Sequence, residues 1–249
     1  MTDSIVITSD GAVQIIRIRR PEKKNALTSP MYAVMTGALK AADASPDIRA
    51  TVFLGEPGMF SAGNDLNEFI GFAQGGKLGT EVTDFLQIIA SARKPMIAGV
   101  DGLAVGIGTT LLLHCDYVVA SARAVLSTPF VGLGLVPEAG SSLIGPRLMG
   151  HARAFELLVM GRRFSAERGR EAGIINEVVA VEALESATLA AAREIAALPA
   201  GAVAQSRALL RGAPDLVLAR ISEEAGIFGE RLRSDEARAA FMAFFAKKA

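Results

Sequence analysis

A dense group of glycines directly after an apolar run constrains this chain more than any other feature. Residues 96–100 read MIAGV, and residues 101–113 read DGLAVGIGTTLLL. A short apolar run that ends in turn residues is typical of a buried strand, and the Thr-Leu run behind it favours a helix. We therefore predict a strand, a glycine turn and a helix start between Met96 and Leu113.

The glycines at positions 102, 106 and 108 decide what such a turn can bind. Glycine permits backbone conformations and close approaches that a side chain would block. The first N–H groups of a helix have no partner within it, and the helix dipole places its positive end there. This arrangement suits a phosphate, a carboxylate or a developing oxyanion. Glycines alone, however, are more typical of a tight strand-to-helix connection packed in a core.

A lone carboxylate, Glu138, follows in an apolar segment. Residues 131–144 read VGLGLVPEAGSSLI, and the next basic residue is Arg147. In an apolar pocket, desolvation would move the pKa of Glu138 toward neutrality, as proton-transfer groups require. Pro137 instead favours a first helical turn, where the helix dipole and water would stabilise the anion. Both alternatives stay open from the residues alone.

Composition excludes several classes of protein. The 249 residues are 51% hydrophobic, enough for a sizeable core, and 26 basic residues balance 26 acidic ones. This balance argues against nucleic-acid binding. The single Cys115 cannot form an internal disulfide, and the two histidines lack partners at metal-ligand spacing, so we expect no metal site. Residues 1–10 lack a signal-peptide pattern, and a cytoplasmic protein without a membrane span is expected.

The order of the predicted elements indicates a mixed α/β fold. Asp10-Gly11 predicts a hairpin, and Ser29-Pro30 predicts a helix with Met31, Val34, Met35 and Leu39 on one face. Residues 61–66 predict a loop whose small residues expose its backbone. Beyond residue 181 the pattern is almost entirely helical. Strands followed by gathered helices favour an α/β core with a helical C-terminal region.

Several motifs together resemble those of the enoyl-CoA hydratase/isomerase family, also called the crotonase family. The resemblance covers nearly the whole chain and rests on Arg20-Pro21 with Asn25-Ala26-Leu27, FSAGNDL at 60–66, Asp101-Gly102 with Gly106-Ile107-Gly108, Cys115-Asp116, and AGII at 172–175. It implies a spiral of β-β-α turns over residues 1–195. It also implies a helical region at 196–249 that assembles homotrimers or hexamers and completes the coenzyme A (CoA) site. The CoA thioester would be the substrate, with no further cofactor.

The resemblance also assigns roles to individual positions. Two backbone N–H groups, of Ala62 and Ile107, would form an oxyanion hole for the thioester oxygen. CoA would lie along Arg20, Lys24, Asn25, Ala26, Gly63, Asn64, Asp65 and Leu66, with Phe244 and Lys247 reaching the CoA of a neighbouring subunit. The acyl pocket would use Phe69, Ile70, Phe72 and Phe130.

The pattern around Glu138 separates two branches of the family. Hydratases similar to this chain carry two glutamates that activate water, and their positions correspond here to Thr110 and Phe130. Neither residue replaces a carboxylate, and adding water requires a proton donor and an activated water. Thr128-Pro129-Phe130 followed by Pro137-Glu138 resembles instead the Δ3,Δ2-enoyl-CoA isomerases. In these, one glutamate moves the double bond of 3-enoyl-CoA to give trans-2-enoyl-CoA, a step in fatty acid β-oxidation.

Other functions stay open at this stage. One is weak hydration of 2-enoyl-CoA, with Glu138 positioning the water. A dienoyl-CoA isomerase is disfavoured, because that chemistry uses further acidic residues in the pocket. A non-catalytic acyl-CoA-binding or RNA-binding relative belongs to a different class. The balanced charge disfavours the RNA-binding alternative, and retention of Glu138 disfavours the non-catalytic one.

Overall fold

The computed structural model describes residues 4–68 and 79–246. The strands are β1 (Ile5–Asp10), β2 (Val13–Ile18), β3 (Ala50–Leu54), β4 (Met59–Ser61), β5 (Met96–Val100), β6 (Leu103–Val105), β7 (Tyr117–Ser121), β8 (Val125–Ser127), β9 (Phe164–Ser165) and β10 (Glu177–Val179). The helices are α1 (Ser29–Ala44), α2 (Glu81–Ser91), α3 (Ile107–Thr110), α4 (Ser141–Leu158), α5 (Ala166–Glu171), α6 (Leu184–Ala197), α7 (Ala200–Arg211), α8 (Asp215–Leu232) and α9 (Asp235–Ala246). Short 3-10 turns cover Pro21–Lys23, Leu111–His114, Val131–Leu133 and Val181–Ala183.

The chain builds two sheets in alternation. One sheet has the order β1-β2-β3-β5-β7-β10 and is parallel except for the β1–β2 hairpin. The other has the order β4-β6-β8-β9, with β4, β6 and β8 parallel. Successive strands β3 to β8 belong to the first and the second sheet in turn, which produces the repeated β-β-α turns that the family resemblance implied.

The passage from β5 to β6 shows why the sequence bends there. Gly102 has φ +67°, and a Cβ at this position would lie 1.9 Å from the carbonyl oxygen of Gly58, so only glycine fits. Asp101 accepts hydrogen bonds from the Gly58 N–H at 2.6 Å and from Arg123 Nε at 2.8 Å. The bonds from Arg123 hold the pKa of Asp101 down at about 2, so the corner is fixed by an ionised carboxylate.

The main core lies between the sheets and the helices. Fully buried Phe53, Phe60 and Phe85 anchor it, and burying one such ring contributes roughly 1.5–3 kcal/mol. A separate cluster joins Phe130, on the loop before Glu138, to Leu232 of α8 and Phe241 of α9. The helical C-terminal region therefore packs directly on the part of the chain that carries the candidate base.

Several sequence predictions need correction. Between the glycine turn and the helix lies the additional strand β6, because residues 103–105 pair with both β4 and β8. The helix itself is only Ile107–Thr110, continued as a 3-10 turn. Val34 was expected on one face of α1 with Met31 and Met35, but it is 41% exposed while those two are buried. Glu138 precedes α4 and is not in its first turn, so the helix-start alternative for this residue is wrong.

Within residues 4–68 and 79–246, no single helix is long and apolar enough to cross a membrane. Two helical stretches, Val181–Ala197 and Ala200–Arg211, have the length and composition of a membrane span only when taken as a pair, and that pair is bent by 106°.

The division of the chain into a core at residues 1–195 and a helical region at residues 196–249 stays a prediction.

Candidate active site

The two segments predicted to supply the oxyanion hole lie against each other. Gly63 has φ +86°, and a Cβ on it would lie 2.8 Å from the carbonyl oxygen of Val105. A Cβ on Gly108 would approach the Ser61 oxygen to 3.1 Å. The parallel pairing of β4 with β6 produces this contact, since each strand ends where its loop begins. The backbone N–H groups of both loops therefore share one small region.

The two predicted N–H donors differ in their present partners. Within the part of the chain that the structure describes, no acceptor takes a hydrogen bond from the Ile107 N–H, which opens helix α3 beside Gly106 (φ +56°). The Ala62 N–H, in contrast, donates to the carbonyl oxygen of Lys24 at 3.0 Å. The donor at Ile107 is free for a ligand, and the donor at Ala62 must first leave Lys24.

Glu138 is buried, with 5% of its surface exposed. The Thr110 hydroxyl donates to its Oε1 at 2.5 Å. Burial raises the pKa of Glu138 to about 8; the Thr110 hydrogen bond acts in the opposite direction, and the charge of Glu224 raises it further. Of the two environments left open by the sequence, Glu138 occupies the apolar pocket. A carboxyl group with this pKa exchanges protons readily near neutral pH.

Tyr32 and Asn64 form a second polar pair at the site. The buried Tyr32 hydroxyl donates to Asn64 Oδ1 at 2.5 Å. Burial raises the pKa of Tyr32 well above its usual range, and the nearby carboxylates of Glu138 and Glu68 add to this effect. Tyr32 is therefore neutral, and its hydroxyl fixes the orientation of the Asn64 amide.

A cavity of about 80 Å³ opens beside Glu138. Its wall includes Asn64 and the apolar side chains of Val82 and Leu86 from α2 and of Phe228 from α8. Apolar walls with a few converging polar groups are typical of sites that bind a partly apolar small molecule. The geometry therefore provides an apolar chamber next to one carboxyl group of raised pKa.

The loop at residues 20–27 is tied tightly to the 61–66 loop. Arg20 Nη1 donates to Asp65 Oδ2 at 2.7 Å, and the fully buried Asn25 side chain accepts from the Arg20 N–H and donates to the Met59 carbonyl. Burial favours a higher pKa for Asp65, but hydrogen bonds from Arg20 and Asn67 outweigh it and lower the pKa. Lys24 and Asn25 both have positive φ, at 52° and 54°. Such strain persists only where surrounding contacts hold it.

Most of the predicted site residues lie close together. The structure brings together Arg20, Lys24, Asn25, Ala26, Ala62, Gly63, Asn64, Asp65 and Leu66 in the two joined loops, with Ile107 beside them. Phe130 is buried in a cluster with Leu135 and Leu232. The cavity residue Phe228 packs against this cluster. Phe244 is half-buried on α9. Phe69, Ile70, Phe72 and Lys247 lie outside the described residues.

Sequence reasoning missed several residues at this site. Thr110 was noted only as the replacement of a hydratase glutamate, not as a hydrogen-bond donor to Glu138. Glu224, His114 and Tyr32 carried no signal in the sequence, because each reaches the site through contacts with residues far away in the chain.

The described residues contain no group of three or more His, Cys, Asp or Glu side chains that could hold a metal ion.

Known proteins are similar to this chain in sequence and in architecture. Residues 8–249 match the family described as Enoyl-CoA hydratase/isomerase. The chain is 32% identical over 252 residues to a probable enoyl-CoA hydratase of Rhizobium meliloti (strain 1021), covering 99% of this chain and 96% of that protein. It is 36% identical over 251 residues to Enoyl-CoA delta isomerase 2 of Rattus norvegicus, covering 98% of this chain but only 64% of the rat protein.

Solved structures agree with these sequence matches. The crystal structure of an enoyl-CoA hydratase/isomerase from Pseudoalteromonas atlantica T6c superposes with a TM-score of 0.93 at 37% identity, covering 99% of this chain and 98% of that one. Pseudomonas aeruginosa OdaA gives a TM-score of 0.92 at 40% identity, covering 98% and 99%. The fold and the sequence thus indicate the same family. The names of the relatives include both hydratases and isomerases.

Proposed function

Since the chain belongs to the enoyl-CoA hydratase/isomerase family, we propose that it is the Δ3,Δ2-enoyl-CoA isomerase type of enzyme within it. The observation that supports this most is the buried carboxyl group of Glu138 in the cavity wall, with its pKa at about 8 and the Thr110 hydroxyl as its hydrogen-bond donor. The positions that correspond to both hydratase glutamates hold Thr110 and Phe130. The substrate would be a 3-enoyl-CoA, and the product its conjugated trans-2-enoyl isomer, as in fatty acid β-oxidation.

The proposed reaction is a proton transfer in two steps. Glu138 takes a proton from C2, the C2–H electrons form the enolate, and negative charge collects on the thioester oxygen. The same carboxyl group then returns its proton at C4, so that the C3=C4 bond is replaced by C2=C3. No electrons are gained or lost overall, and the reaction therefore needs no redox cofactor.

The oxyanion would be stabilised by the N–H groups of Ile107 and Ala62. The free Ile107 N–H is ready for this role, and the Ala62 N–H becomes available when Lys24 releases it. Fixed donors in a dry site cost no reorganisation during the reaction, and removing one typically costs roughly 3 kcal/mol of transition-state stabilisation. The small cavity beside Glu138 would hold the reacting part of the acyl chain, with Val82, Leu86 and Phe228 excluding water.

CoA would bind along the joined loops at residues 20–27 and 61–66. Lys24 is exposed there, where its ammonium group would be available to a phosphate. The proposed contributions of Phe244 and Lys247 require a neighbouring subunit. A homotrimer or hexamer is supported by Leu209 and Leu210 of α7, which are 85% and 88% exposed, because contiguous exposed leucines are typical of interaction surfaces. Light scattering coupled to gel filtration would test this assembly.

Hydration of 2-enoyl-CoA is the second candidate function. The relative from Rhizobium meliloti carries the name of a probable hydratase, and Glu138 would then position the attacking water. The buried, apolar surroundings of Glu138 favour the isomerase alternative, because activation of water requires access for water and a second proton-transfer group.

Two substrates separate these functions. Purified protein is incubated with trans-3-hexenoyl-CoA and, separately, with crotonyl-CoA, and the products are followed by the absorbance of the conjugated thioester and by mass. The proposal predicts conjugation of the 3-enoyl substrate, with crotonyl-CoA remaining unhydrated. Rapid addition of water to crotonyl-CoA without conversion of the 3-enoyl substrate would contradict it.

A further inference from the structure

The turn that carries Glu138 has an unfavourable backbone. Ala139 has φ +61° and Gly140 has φ +67°, so two successive residues occupy the left-handed region immediately before α4. For a residue with a side chain, such as Ala139, this conformation is uncommon and is maintained only by surrounding contacts. The position of Glu138 therefore depends on the groups that hold residues 139–142.

Glu224 of α8 holds this turn from one side. Its side chain is buried, with 5% of its surface exposed. Oε2 accepts the Gly140 N–H at 2.6 Å, and Oε1 accepts the Ser142 N–H at 3.0 Å and the Ser142 hydroxyl at 2.5 Å. These donors lie at the start of α4, where backbone N–H groups have no partner within the helix. A carboxylate 84 residues away thus replaces a local helix cap.

His114 holds the same turn from the other side. Its Nε2 lies 2.7 Å from the carbonyl oxygen of Ala139, and since a carbonyl only accepts, Nε2 carries the proton. Burial lowers the pKa of His114 to about 4, so the ring is neutral near neutral pH. Helix α8 also packs closely here, since a Cβ on Gly140 would lie 3.0 Å from Val217 Cγ1.

Glu224 also contributes charge near the candidate base. It raises the pKa of Glu138, as a second effect beside burial. Among the described residues, the other titratable or charged groups near this pair include His114, Tyr32 on α1 and Arg220 on α8, whose Nη1 donates to Ser142 Oγ at 3.1 Å. Burial raises the pKa of Glu224 above its usual range, while the three donated hydrogen bonds and the charge of Arg220 act in the opposite direction and favour the ionised form.

We propose that Glu224 is a positioning residue that fixes the Glu138 turn through the Gly140 and Ser142 amides and keeps a negative charge beside the base. This inference rests on the proposed isomerase function for its kinetic consequence, but the fixing of the turn is independent of it. Glu224 does not touch the cavity beside Glu138 within the described residues, so its effect reaches the substrate only through the turn.

The test compares Glu224→Gln and Glu224→Asp with the wild type. Glu230→Gln is the matched control, because it removes a carboxylate from an exposed position of the same helix. Kinetics with trans-3-hexenoyl-CoA are measured across pH, and hydrogen exchange is followed in the peptides that cover residues 139–145. For Glu224→Gln, kcat should fall at least about tenfold at unchanged KM, since displacing a catalytic group by about 1 Å can cost on the order of 100-fold.

The pH profile separates charge from position. In Glu224→Gln the pKa of Glu138 should fall, and the acidic limb of the profile should move to lower pH. In Glu224→Asp the charge remains, so that limb should stay near its wild-type position while kcat is reduced. The Gly140 and Ser142 amides should exchange faster in both variants and at the wild-type rate in Glu230→Gln.

A folded Glu224→Gln protein with wild-type kcat, pH limb and amide exchange would overturn the proposal. If Glu224→Gln does not fold, Glu224→Asp decides, and wild-type kcat together with wild-type exchange in that variant would overturn it. A wild type that fails to isomerise the substrate would refute the proposed function instead, while the exchange measurement still decides whether Glu224 fixes the turn.

Discussion

The Thr110 hydroxyl donates a 2.5 Å hydrogen bond to Glu138 Oε1, and both side chains are buried. By resemblance, position 110 corresponds to a glutamate in hydratases. A hydroxyl group there leaves Glu138 as the carboxyl group beside the cavity and partly stabilises its anion. One substitution relative to the hydratase pattern thus both removes a second acid and tunes the remaining one.

Thr110→Val should raise the pKa of Glu138 further above about 8, because it removes the hydrogen bond that lowers this pKa. Glu138 acts as a base only when ionised, so the acidic limb of the pH–rate profile should move to higher pH. A hydrogen bond to a charged group contributes about 1.5–3 kcal/mol, so activity at neutral pH should fall about 10- to 100-fold. It should recover in more alkaline solution.

Thr36→Val is the control for that measurement. Thr36 is also buried, and its hydroxyl has no hydrogen-bond partner in residues 4–68 and 79–246. Its replacement should leave the pH–rate profile unchanged. An identical profile for Thr110→Val and the wild type would show that the Thr110 hydrogen bond does not tune Glu138.

Glu138 should also make stability depend on pH. Its pKa is about 8 in the folded chain and close to 4.5 when unfolded, so the folded state holds more protons between these values. The stability of the wild type should therefore decrease across this range as pH rises. Glu138→Gln carries no such proton, and its melting temperature should exceed that of the wild type by an amount that grows up to about pH 8.

Melting curves of both proteins at several pH values check this. Glu224 and the other carboxyl groups are present in both chains, so the difference between the curves isolates Glu138. A constant difference from acid to alkaline solution would contradict a raised pKa for Glu138.

Binding of a thioester should break the hydrogen bond between Ala62 and Lys24. The Ala62 N–H now lies 3.0 Å from the Lys24 carbonyl oxygen, and it cannot serve the substrate fully while that bond persists. A crystal structure with a non-reactive 3-thia acyl-CoA analogue should show the ligand oxygen within about 3.2 Å of both the Ala62 and Ile107 nitrogens. A bound thioester that contacts Ile107 alone, with Ala62 still on Lys24, would contradict the two-donor oxyanion hole.

The fold could be predicted where the signal is local. Asp10-Gly11 forms the β1–β2 hairpin and Ser29-Pro30 opens α1, as the residues indicate. The strand β6 could not be predicted, because its three residues gain their pairing from β4 and β8, which lie far apart in the chain.

In the candidate site, too, only the features with a local sequence signal could be predicted. The loops around Ala62 and Ile107 were predicted from their glycines and from the resemblance. The environment of Glu138 could not be predicted, since Pro137 favoured a helix start and the deciding partners, Thr110 and Glu224, come from other elements. Burial by tertiary packing, not local sequence, determines the pKa of this group.

The central claim is that Glu138 is the one base for isomerisation, and Glu138→Gln tests it most directly. Turnover of trans-3-hexenoyl-CoA is measured together with CoA-thioester binding by calorimetry, with Glu230→Gln, at an exposed position of α8, as the matched control. Loss of a general base costs about 10²- to 10⁴-fold, so turnover should fall by that factor while binding and the control stay at wild-type values. Wild-type turnover in Glu138→Gln would contradict the account.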